Sequence, residues 1–214
     1  MSLQPLNLDL PSEDNRFNAV DPLDGRYYDP EIARYLSERT RILTQAHVEA
    51  ALAYGLAEFG ICSREVAEQI DAASRKIRVE DVAEEEKTTR HDVKAIVNTI
   101  KKELPETAQP YVHFGATSYD IVSTAMSLQL RTAVHELLLP RLAALHTTLA
   151  ELAERYAETV QIGRTHGQHA VPITFGYFLA TYVQRLGDSM AHLETLAGEL
   201  KGKFSGAVGT QCYF

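Results

Sequence analysis

The chain has 214 residues, of which 45% are hydrophobic and 23% are charged, the composition of an ordinary folded protein. Its 21 Lys and Arg and 29 Asp and Glu give a net charge of −8, which argues against a broad surface for nucleic acid or an anionic membrane but leaves room for a local anion pocket. Cys62 and Cys212 lie far apart in the sequence and indicate neither a disulfide framework nor a zinc knuckle. No apolar run approaches the ~20 residues of a membrane span. The first residues lack the basic start and apolar core of a secretory signal, so we expect a cytoplasmic protein.

The chain begins with a segment that predicts an extended arm. Residues 1–28 are rich in Asn, Asp and Pro and show no sustained period. Asp29 and Pro30 then give a helix start, since a carboxylate that can cap the helix precedes a proline at the first helical position. We expect this helix to run to about Phe59 and to stop at Gly60.

Two further apolar stripes at helical spacing follow. They cover residues 66–77 and 93–104 and predict two more helices. The acidic stretch between them, DVAEEEKTTRHD at residues 81–92, is expected to be turn-like. The second stripe ends at a proline, and residues 105–117 are predicted to form a loop that separates two parts of the chain.

The second part predicts longer helices. Ser118 is in position to cap the first of them. Pro140 interrupts its pattern, and because an interior proline costs ~3 kcal/mol we expect a kink or a restart there. A loop over residues 161–172 then leads to the most regular stripe, residues 175–200, and the Gly-rich residues 202–214 are expected to be irregular.

These elements predict an all-α fold built on long helices. No segment shows the alternation of a strand, and there is no internal repeat. We expect the arm at 1–28, an N-terminal helical domain at 29–110, and the first part of a long-helix bundle at 111–214. Two long helices are too few for a closed bundle, which indicates either an oligomeric bundle or a chain that stops before its bundle is complete.

Three polar segments rich in Gly or Thr each contain histidine, at His91, His113, and His166 with His169. Each lies where a helix begins or has just ended, and the N–H groups of a helix start beside Thr and Ser hydroxyls can bind an anion. An imidazole there is suited to proton transfer near neutral pH. A capped helix start would explain any one segment alone, whereas the three together favour a functional site. The other histidines lie within helical stretches, where a structural role is favoured: His47, His135, His146 and His192.

Several other chemistries are not supported by the sequence. The segment 198–204 is one residue short of a P-loop and has Phe204 where Ser or Thr would hold magnesium. No Gly-x-Gly-x-x-Gly or Gly-x-Ser-x-Gly is present. His166 and His169 lack an obvious third ligand in their loop, so we expect neither a metal nor another cofactor.

Five segments between residues 22 and 211 together form a pattern of motifs that is known from a protein family. They read PLDGRY, TTRHDVKA, HFGATSYDIVSTA, GRTHGQHAVPITFG and SGAVGTQ. In this order and at this spacing they resemble the adenylosuccinate lyase family of the fumarase/aspartase superfamily. GATSxD and GRTHGQHA are typical of the superfamily, whereas DGRY together with RHDV indicates this member of it. The resemblance implies the N-terminal helical domain and the first long helices of the superfamily's central bundle.

The resemblance implies a β-elimination in purine nucleotide synthesis. A proton leaves a succinyl group and the C–N bond then breaks, which releases fumarate and either AMP or the corresponding imidazole carboxamide ribotide. His166 matches the family's general acid, which protonates the departing nitrogen. The positions that match substrate contacts are Arg26 and Tyr27 for the nucleotide phosphate, Arg90, His91 and Asp92, Thr117 and Ser118 for a succinyl carboxylate, and His113, Thr165 and Gln211. The family uses a small purine nucleotide and no metal, and its full-length members are homotetramers.

One part of the family pattern is missing from this sequence. The family's base is a serine on a Gly/Ser-rich loop in the second half, and no S-S-x-M-P-x-K-x-N segment is present. The resemblance therefore implies the N-terminal half of such an enzyme, inactive alone. Two alternatives remain open. One is another superfamily member such as a carboxymuconate cycloisomerase, although its substrate lacks the phosphate that DGRY would bind, and the other is a non-catalytic helical oligomerisation module.

Overall fold

The structure is a computed structural model that describes residue 6 and residues 27–211. These residues divide into two compact units. The first unit contains the residues up to Leu130 and those from Leu200 onward, and the second contains Arg131–Glu199. The expected arm at 1–28 lies almost wholly outside the described residues, and the division into domains at residue 110 stays a prediction.

The first unit is helical. Its elements are α1 (Pro30–Leu36), α2 (Glu38–Glu58), α3 (Arg64–Ser74), α4 (Val79–Thr89), α5 (Asp92–Lys102), a 3₁₀ turn (Gln109–Tyr111) and most of α6 (Ser118–Ala133). Asp29 caps α1 as predicted, because its Oδ1 accepts a hydrogen bond of 2.8 Å from the Glu31 N–H. The predicted end near Phe59 is confirmed as well, since α2 ends at Glu58 and Gly60 has φ 71°.

The single helix predicted from Asp29 to Phe59 is interrupted at Ser37. This residue has extended backbone angles, φ −67° and ψ 162°. Its Oγ accepts a hydrogen bond of 3.3 Å from the Thr40 N–H and so caps a second helix. A buried serine cap therefore divides the stretch into α1 and α2.

The prediction of a turn-like stretch at residues 81–92 is wrong, because most of it forms α4. Val79 and Val82 are buried and fix this helix to the core. Glu80 and Asp81 lie in its first turn, where negative charge stabilises the helix dipole. The helix ends at Arg90, which adopts the left-handed conformation.

The core of the first unit confirms the two apolar stripes. Both contribute side chains to one cluster of buried residues that also takes in α2, α4 and α6. Each fully buried Ile or Val contributes about 1.5–3 kcal/mol relative to an exposed position. The largest fully buried aliphatic side chains are Ile70, Ile96, Ile100, Ile121, Val79 and Val93.

The second unit contains a helical interruption of the kind predicted. After α6 the chain forms a π-helical turn (Val134–Leu138) and then α7 (Leu139–Arg155). Pro140 is the second residue of α7 and directly follows the π-helical turn, in which the regular α-helical hydrogen bonding is interrupted. Leu138 and Leu139 keep helical backbone angles, so the predicted kink or restart at this proline takes the form of a π-helical turn within a continuous helical stretch.

The predicted loop at residues 161–172 is instead a β-hairpin, so the expectation of no strand is wrong. Strand β1 (Val160–Thr165) pairs antiparallel with β2 (Gln168–Thr174), with a bulge between Ile162 and Arg164. Gly163 lies in the bulge, where a Cβ would come within 2.6 Å of the Val171 carbonyl oxygen. Most of the hairpin's residues are exposed on both faces, so its sequence lacks the apolar alternation of a half-buried strand. All other regular elements of the described chain are helices, which confirms the all-α prediction.

The hairpin leads into α8 (Phe175–Glu199), which packs on α7. None of the residues of α7 is buried within the described chain. Large apolar side chains of the second unit remain exposed, among them Leu145, Tyr177, Phe178, Tyr182 and Leu196. The two helices thus leave much of their apolar stripes uncovered, as expected when a bundle has too few helices.

None of the helices in the described chain has both the length and the apolar character that crossing a membrane requires.

Candidate functional site

Two predicted site segments meet where α5 and α6 begin. His91 caps α5, because its Nδ1 accepts a hydrogen bond of 3.2 Å from the Lys94 N–H. In the neutral ring the proton is therefore on Nε2, which lies 3.3 Å from the Ser118 Oγ and can donate to it. Ser118 begins α6 and its hydroxyl faces His91 rather than capping the helix. The structure thus joins the TTRHD and GATS segments.

A cavity of about 480 Å³ lies beside this contact. Its polar lining comprises Thr89, His91, Lys94, Lys101, His113 and Ser118. Burial lowers the pKa of the Lys101 ammonium, and the positive charge of Lys94 lowers it further, against the opposing effect of Glu49. Two neighbouring cations, one of them partly desolvated, favour an anion in this cavity.

His113 enters the same cavity with a strained backbone. Its φ is 66°, in the left-handed region that few non-glycine residues adopt. Its Nδ1 lies 2.6 Å from Oε1 of Glu49, a side chain of α2 with 0% exposure. This contact fixes the ring between the core and the cavity.

Asp120, the last residue of GATSxD, is a buried carboxylate whose two oxygens each accept two hydrogen bonds. Oδ1 accepts them from Lys203 Nζ at 2.5 Å and from the Ser205 N–H at 3.0 Å. Oδ2 accepts them from the Thr117 N–H at 3.0 Å and the Gly206 N–H at 3.2 Å. Burial pushes the pKa of Asp120 upward, but the hydrogen bonds, led by the one from Lys203, outweigh it and hold the pKa below its ordinary value.

The last predicted segment, SGAVGTQ, is thereby held at α6. The backbone of Lys203 also forms two hydrogen bonds with the Thr124 hydroxyl. The Lys203 N–H donates to it at 2.8 Å, and the Lys203 carbonyl oxygen accepts from it at 3.1 Å. The Gln211 N–H donates to the Ser205 carbonyl at 3.1 Å and closes the segment into a loop. We call residues 201–211 the strap. It places the fifth motif against the third, which contains Thr117 and Ser118.

In the second unit, His166 lies at the tip of the hairpin. Thr165 pairs with Gln168, which leaves His166 and Gly167 as a two-residue turn with φ 51° and 72°. Positive φ at both positions is typical of a type I′ turn, where Asn-Gly is the usual pair. The His166 side chain is exposed. The hairpin turn therefore places the His166 imidazole in an exposed position with defined backbone angles.

Left-handed backbone angles single out the predicted site. Among residues 27–211, the non-glycine residues with positive φ are Arg90 at 51°, His113 at 66°, His166 at 51° and Gln211 at 58°. All four belong to the residues that the motifs predict for the site, and each comes from a different motif. Such strained residues cluster at functional sites.

The remaining predicted residues are placed as follows. Tyr27 is 73% exposed, and Asp92 Oδ2 lies 3.5 Å from the Arg41 guanidinium. Arg26 lies outside the described residues. The sequence did not single out Glu49 or Lys101, because each lies within a helix and outside the motifs. Lys94 lies inside TTRHDVKA, but the resemblance gave it no role.

No group of three or more His, Cys, Asp or Glu side chains within the described part of the chain is arranged to hold a metal ion.

Comparison with known proteins points to lyases. A family model described as "Lyase" matches residues 25–214. Adenylosuccinate lyase from Methanocaldococcus jannaschii is 39% identical over 198 residues, which cover 90% of this chain and 42% of the relative. The enzyme of the same name from Archaeoglobus fulgidus is 38% identical, over 91% of this chain and 43% of the relative. The chain therefore spans less than half the length of these relatives.

Solved structures agree with the sequence comparison. A fumarate lyase from Mesorhizobium sp. BNC1 superposes with a TM-score of 0.80 at 33% identity, over 90% of this chain and 46% of that one. The 3-carboxy-cis,cis-muconate lactonizing enzyme from Pseudomonas putida gives a TM-score of 0.80 at 31% identity, over 90% of this chain and 45% of that one. These similarities confirm the all-α fold of the fumarase/aspartase type.

Proposed function

Because this chain belongs to the lyase family, with adenylosuccinate lyases among its relatives, we propose that it is the N-terminal half of an enzyme that releases fumarate from succinylated purine nucleotides. The substrates would be adenylosuccinate, giving AMP, and the succinyl imidazole carboxamide ribotide. The observation that carries the proposal is the coincidence of left-handed backbone with four motif residues, Arg90, His113, His166 and Gln211. Strain at one residue in each of four motifs is expected where side chains are directed at a ligand.

The start of α6 is suited to bind a succinyl carboxylate. When a proton leaves the carbon beside a carboxylate, negative charge spreads onto the carboxylate oxygens. The Ser118 N–H and the hydroxyls of Thr117 and Ser118 would stabilise this charge, aided by the dipole of α6, while the Thr117 N–H is occupied by Asp120. His91, which is bonded to Ser118, and the neighbouring Lys94 add donors to the same region.

His166 would complete the elimination. The departing nitrogen must receive a proton as the C–N bond breaks, and an imidazole is suited to supply one near neutral pH. The turn at the hairpin tip holds His166 in a defined backbone conformation without burying it. We propose that the base that removes the carbon-bound proton is a serine outside this sequence, so the 214-residue chain alone would be inactive.

Other residues would bind the rest of the substrate. Arg26 and Tyr27 are proposed to hold the nucleotide phosphate, and Asp92, Thr165 and Gln211 to contact substrate. No metal or cofactor enters the proposed reaction. The exposed apolar side chains of α7 and α8 support assembly into a homo-oligomer, which we propose to be a tetramer in the cytoplasm.

A carboxymuconate cycloisomerase is the second candidate function. The similarity to the Pseudomonas putida lactonizing enzyme favours it, because the fold match is as good as that to the fumarate lyase. The cycloisomerase substrate has no phosphate, so it gives no role to a DGRY motif.

Activity measured on two substrates distinguishes the two candidate functions. The protein encoded by the complete reading frame is incubated with adenylosuccinate and, separately, with 3-carboxy-cis,cis-muconate, and fumarate and AMP are quantified by chromatography. We expect fumarate and AMP in equal amounts from adenylosuccinate and no turnover of the muconate. The 214-residue chain, tested in parallel, should release no fumarate. Turnover of the muconate alone would support the cycloisomerase, and self-association with no turnover of either would support an oligomerisation module.

A further inference from the structure

Glu49 is a buried carboxylate that the proposed reaction does not use. It lies on α2 with 0% side-chain exposure. Its Oε1 contacts His113 Nδ1 at 2.6 Å, whereas its Oε2 has no hydrogen-bond partner within the described part of the chain. Removing a carboxylate from water is costly unless it is paired. Packing alone would favour an aliphatic side chain here, as at the neighbouring buried Ala46 and Ala53.

The partner of Glu49 is held in an unusual conformation. His113 has φ 66°, and its ring lies between Glu49 and the cavity of about 480 Å³. A carboxylate accepts hydrogen bonds but cannot donate them, so the contact requires a proton on Nδ1. Nε2 is then the ring nitrogen left for a ligand in the cavity.

We propose that Glu49 is a positioning residue for His113. By accepting the Nδ1 proton it selects the tautomer and holds the ring so that Nε2 meets the substrate. His91 in the same cavity has the opposite arrangement, with Nδ1 as the acceptor and Nε2 bearing the proton. The cavity would thus contain one imidazole whose Nε2 proton is directed at Ser118 and one whose Nε2 is open to accept a hydrogen bond or a proton. The identity of the ligand rests on the function proposed above, whereas the positioning itself does not.

The tautomer can be measured in the unaltered 214-residue chain. We would label the histidines with ¹⁵N, record imidazole spectra at pH 8, and assign His113 by comparison with a His113→Asn variant. We expect His113 Nδ1 to carry a bound proton and His91 Nδ1 to carry none. A His113 Nδ1 without a proton would overturn the proposal, and this result needs no variant of Glu49.

Two variants separate positioning from packing. Glu49→Leu keeps similar volume but removes the acceptor, so His113 should lose its preference for the Nδ1 proton. Glu49→Gln keeps an acceptor oxygen and should retain it. Glu85→Leu is the control, since it likewise removes a carboxylate that accepts hydrogen bonds from other side chains, Asn98 at 2.7 Å and Lys102 at 2.5 Å, and it should leave His113 unchanged. An unchanged His113 tautomer in Glu49→Leu would contradict the proposal.

Kinetics distinguish this inference from the proposed function. In the protein from the complete reading frame, Glu49→Leu should raise KM for adenylosuccinate about tenfold to a hundredfold and change kcat less, while Glu49→Gln recovers most of the loss. If the unaltered protein does not act on adenylosuccinate, the proposed function fails and the tautomer measurement still stands. If it is active but Glu49→Leu has an unchanged KM, the positioning role is refuted.

Discussion

Replacing Asp120 by Asn tests the contact that ties the strap to the start of α6. Asp120 is 1% exposed, and each of its oxygens accepts two hydrogen bonds, one of them from Lys203 Nζ. An asparagine offers one oxygen and one NH₂ group, so in either orientation the NH₂ group meets two donors. The change also leaves the Lys203 ammonium without its carboxylate. Disrupting such a pair costs about 3–5 kcal/mol when both groups are buried, and because the Lys203 side chain is 35% exposed we expect the lower end of that range.

Amide hydrogen exchange gives the local measurement of this change. The Ser205 and Gly206 N–H groups both donate to Asp120. A loss of ~3 kcal/mol corresponds to a factor of more than a hundred, so Asp120→Asn should increase the exchange rates of these two groups by two orders of magnitude or more. Asp29→Ala serves as the control, because it removes a cap of about 1 kcal/mol at α1 and should affect exchange only there. Unchanged protection of Ser205 and Gly206 in Asp120→Asn would refute the role assigned to this carboxylate.

The same contact predicts a pH dependence. Because the pKa of Asp120 in the folded chain lies below its ordinary value of 3.8, its stabilising effect is fully present above that value and is lost as pH falls through the folded-state pKa. Protection of the strap, corrected for intrinsic exchange, should therefore stay constant from pH 7 to pH 4 and decline only in stronger acid. A decline centred near neutral pH would show that another group controls the strap.

Three further predictions concern other parts of the chain. Gly176→Ala should destabilise the second unit by about 1–3 kcal/mol, because the new Cβ would come within 2.4 Å of the Ala153 carbonyl oxygen. Gly198→Ala is the control: no atom lies within 4 Å of its Cβ, so the change should be neutral or stabilising by up to ~1 kcal/mol, and thermal unfolding compares the two variants. Arg26→Ala in the protein from the complete reading frame should raise KM for adenylosuccinate about tenfold to a hundredfold with little change in kcat, measured by steady-state kinetics, since a phosphate contact binds ground state and transition state alike. Burial raises the pKa of the Cys62 thiol, so peptide mapping should show slower alkylation of Cys62 at pH 8 than of free cysteine.

The helices of the first unit were predictable where burial is one-sided. The stripes at residues 66–77 and 93–104 correspond to α3 and α5, since their aliphatic residues face one core. The helix α4 was missed because only two of its residues, Val79 and Val82, are buried, which is too few to form a stripe. The break at Ser37 depends on a backbone angle and a hydroxyl contact, and a serine inside a periodic segment signals neither.

The hairpin was missed for a different reason. Strand prediction depends on one buried face, and the burial of β1 and β2 shows no such face. The signal that was present is the His166-Gly167 pair, which occupies the turn position where Asn-Gly is usual.

The residues that line the candidate cavity were marked by the sequence where they lie in loops or at helix starts, but not where they lie within helices. The polar segments marked His91, His113 and Ser118, and the structure brings these three residues to one cavity. Glu49 and Lys101 were not marked, because a charged residue within a helix has the same sequence signature whether it faces solvent or a cavity. Only the folded arrangement of α2, α5 and the loop before α6 distinguishes the two.

The measurement that tests the central claim most directly is the rate of fumarate release from adenylosuccinate by two histidine variants of the protein from the complete reading frame. His166→Ala removes the proposed acid, and His169→Ala removes an exposed imidazole three residues away on β2. Because a general acid contributes about 10²–10⁴-fold and acts on the transition state, we expect His166→Ala to lower kcat by that factor with KM little changed, and His169→Ala to retain most activity. A His166→Ala variant that loses only substrate affinity, or a loss of kcat equal in both variants, would contradict the account.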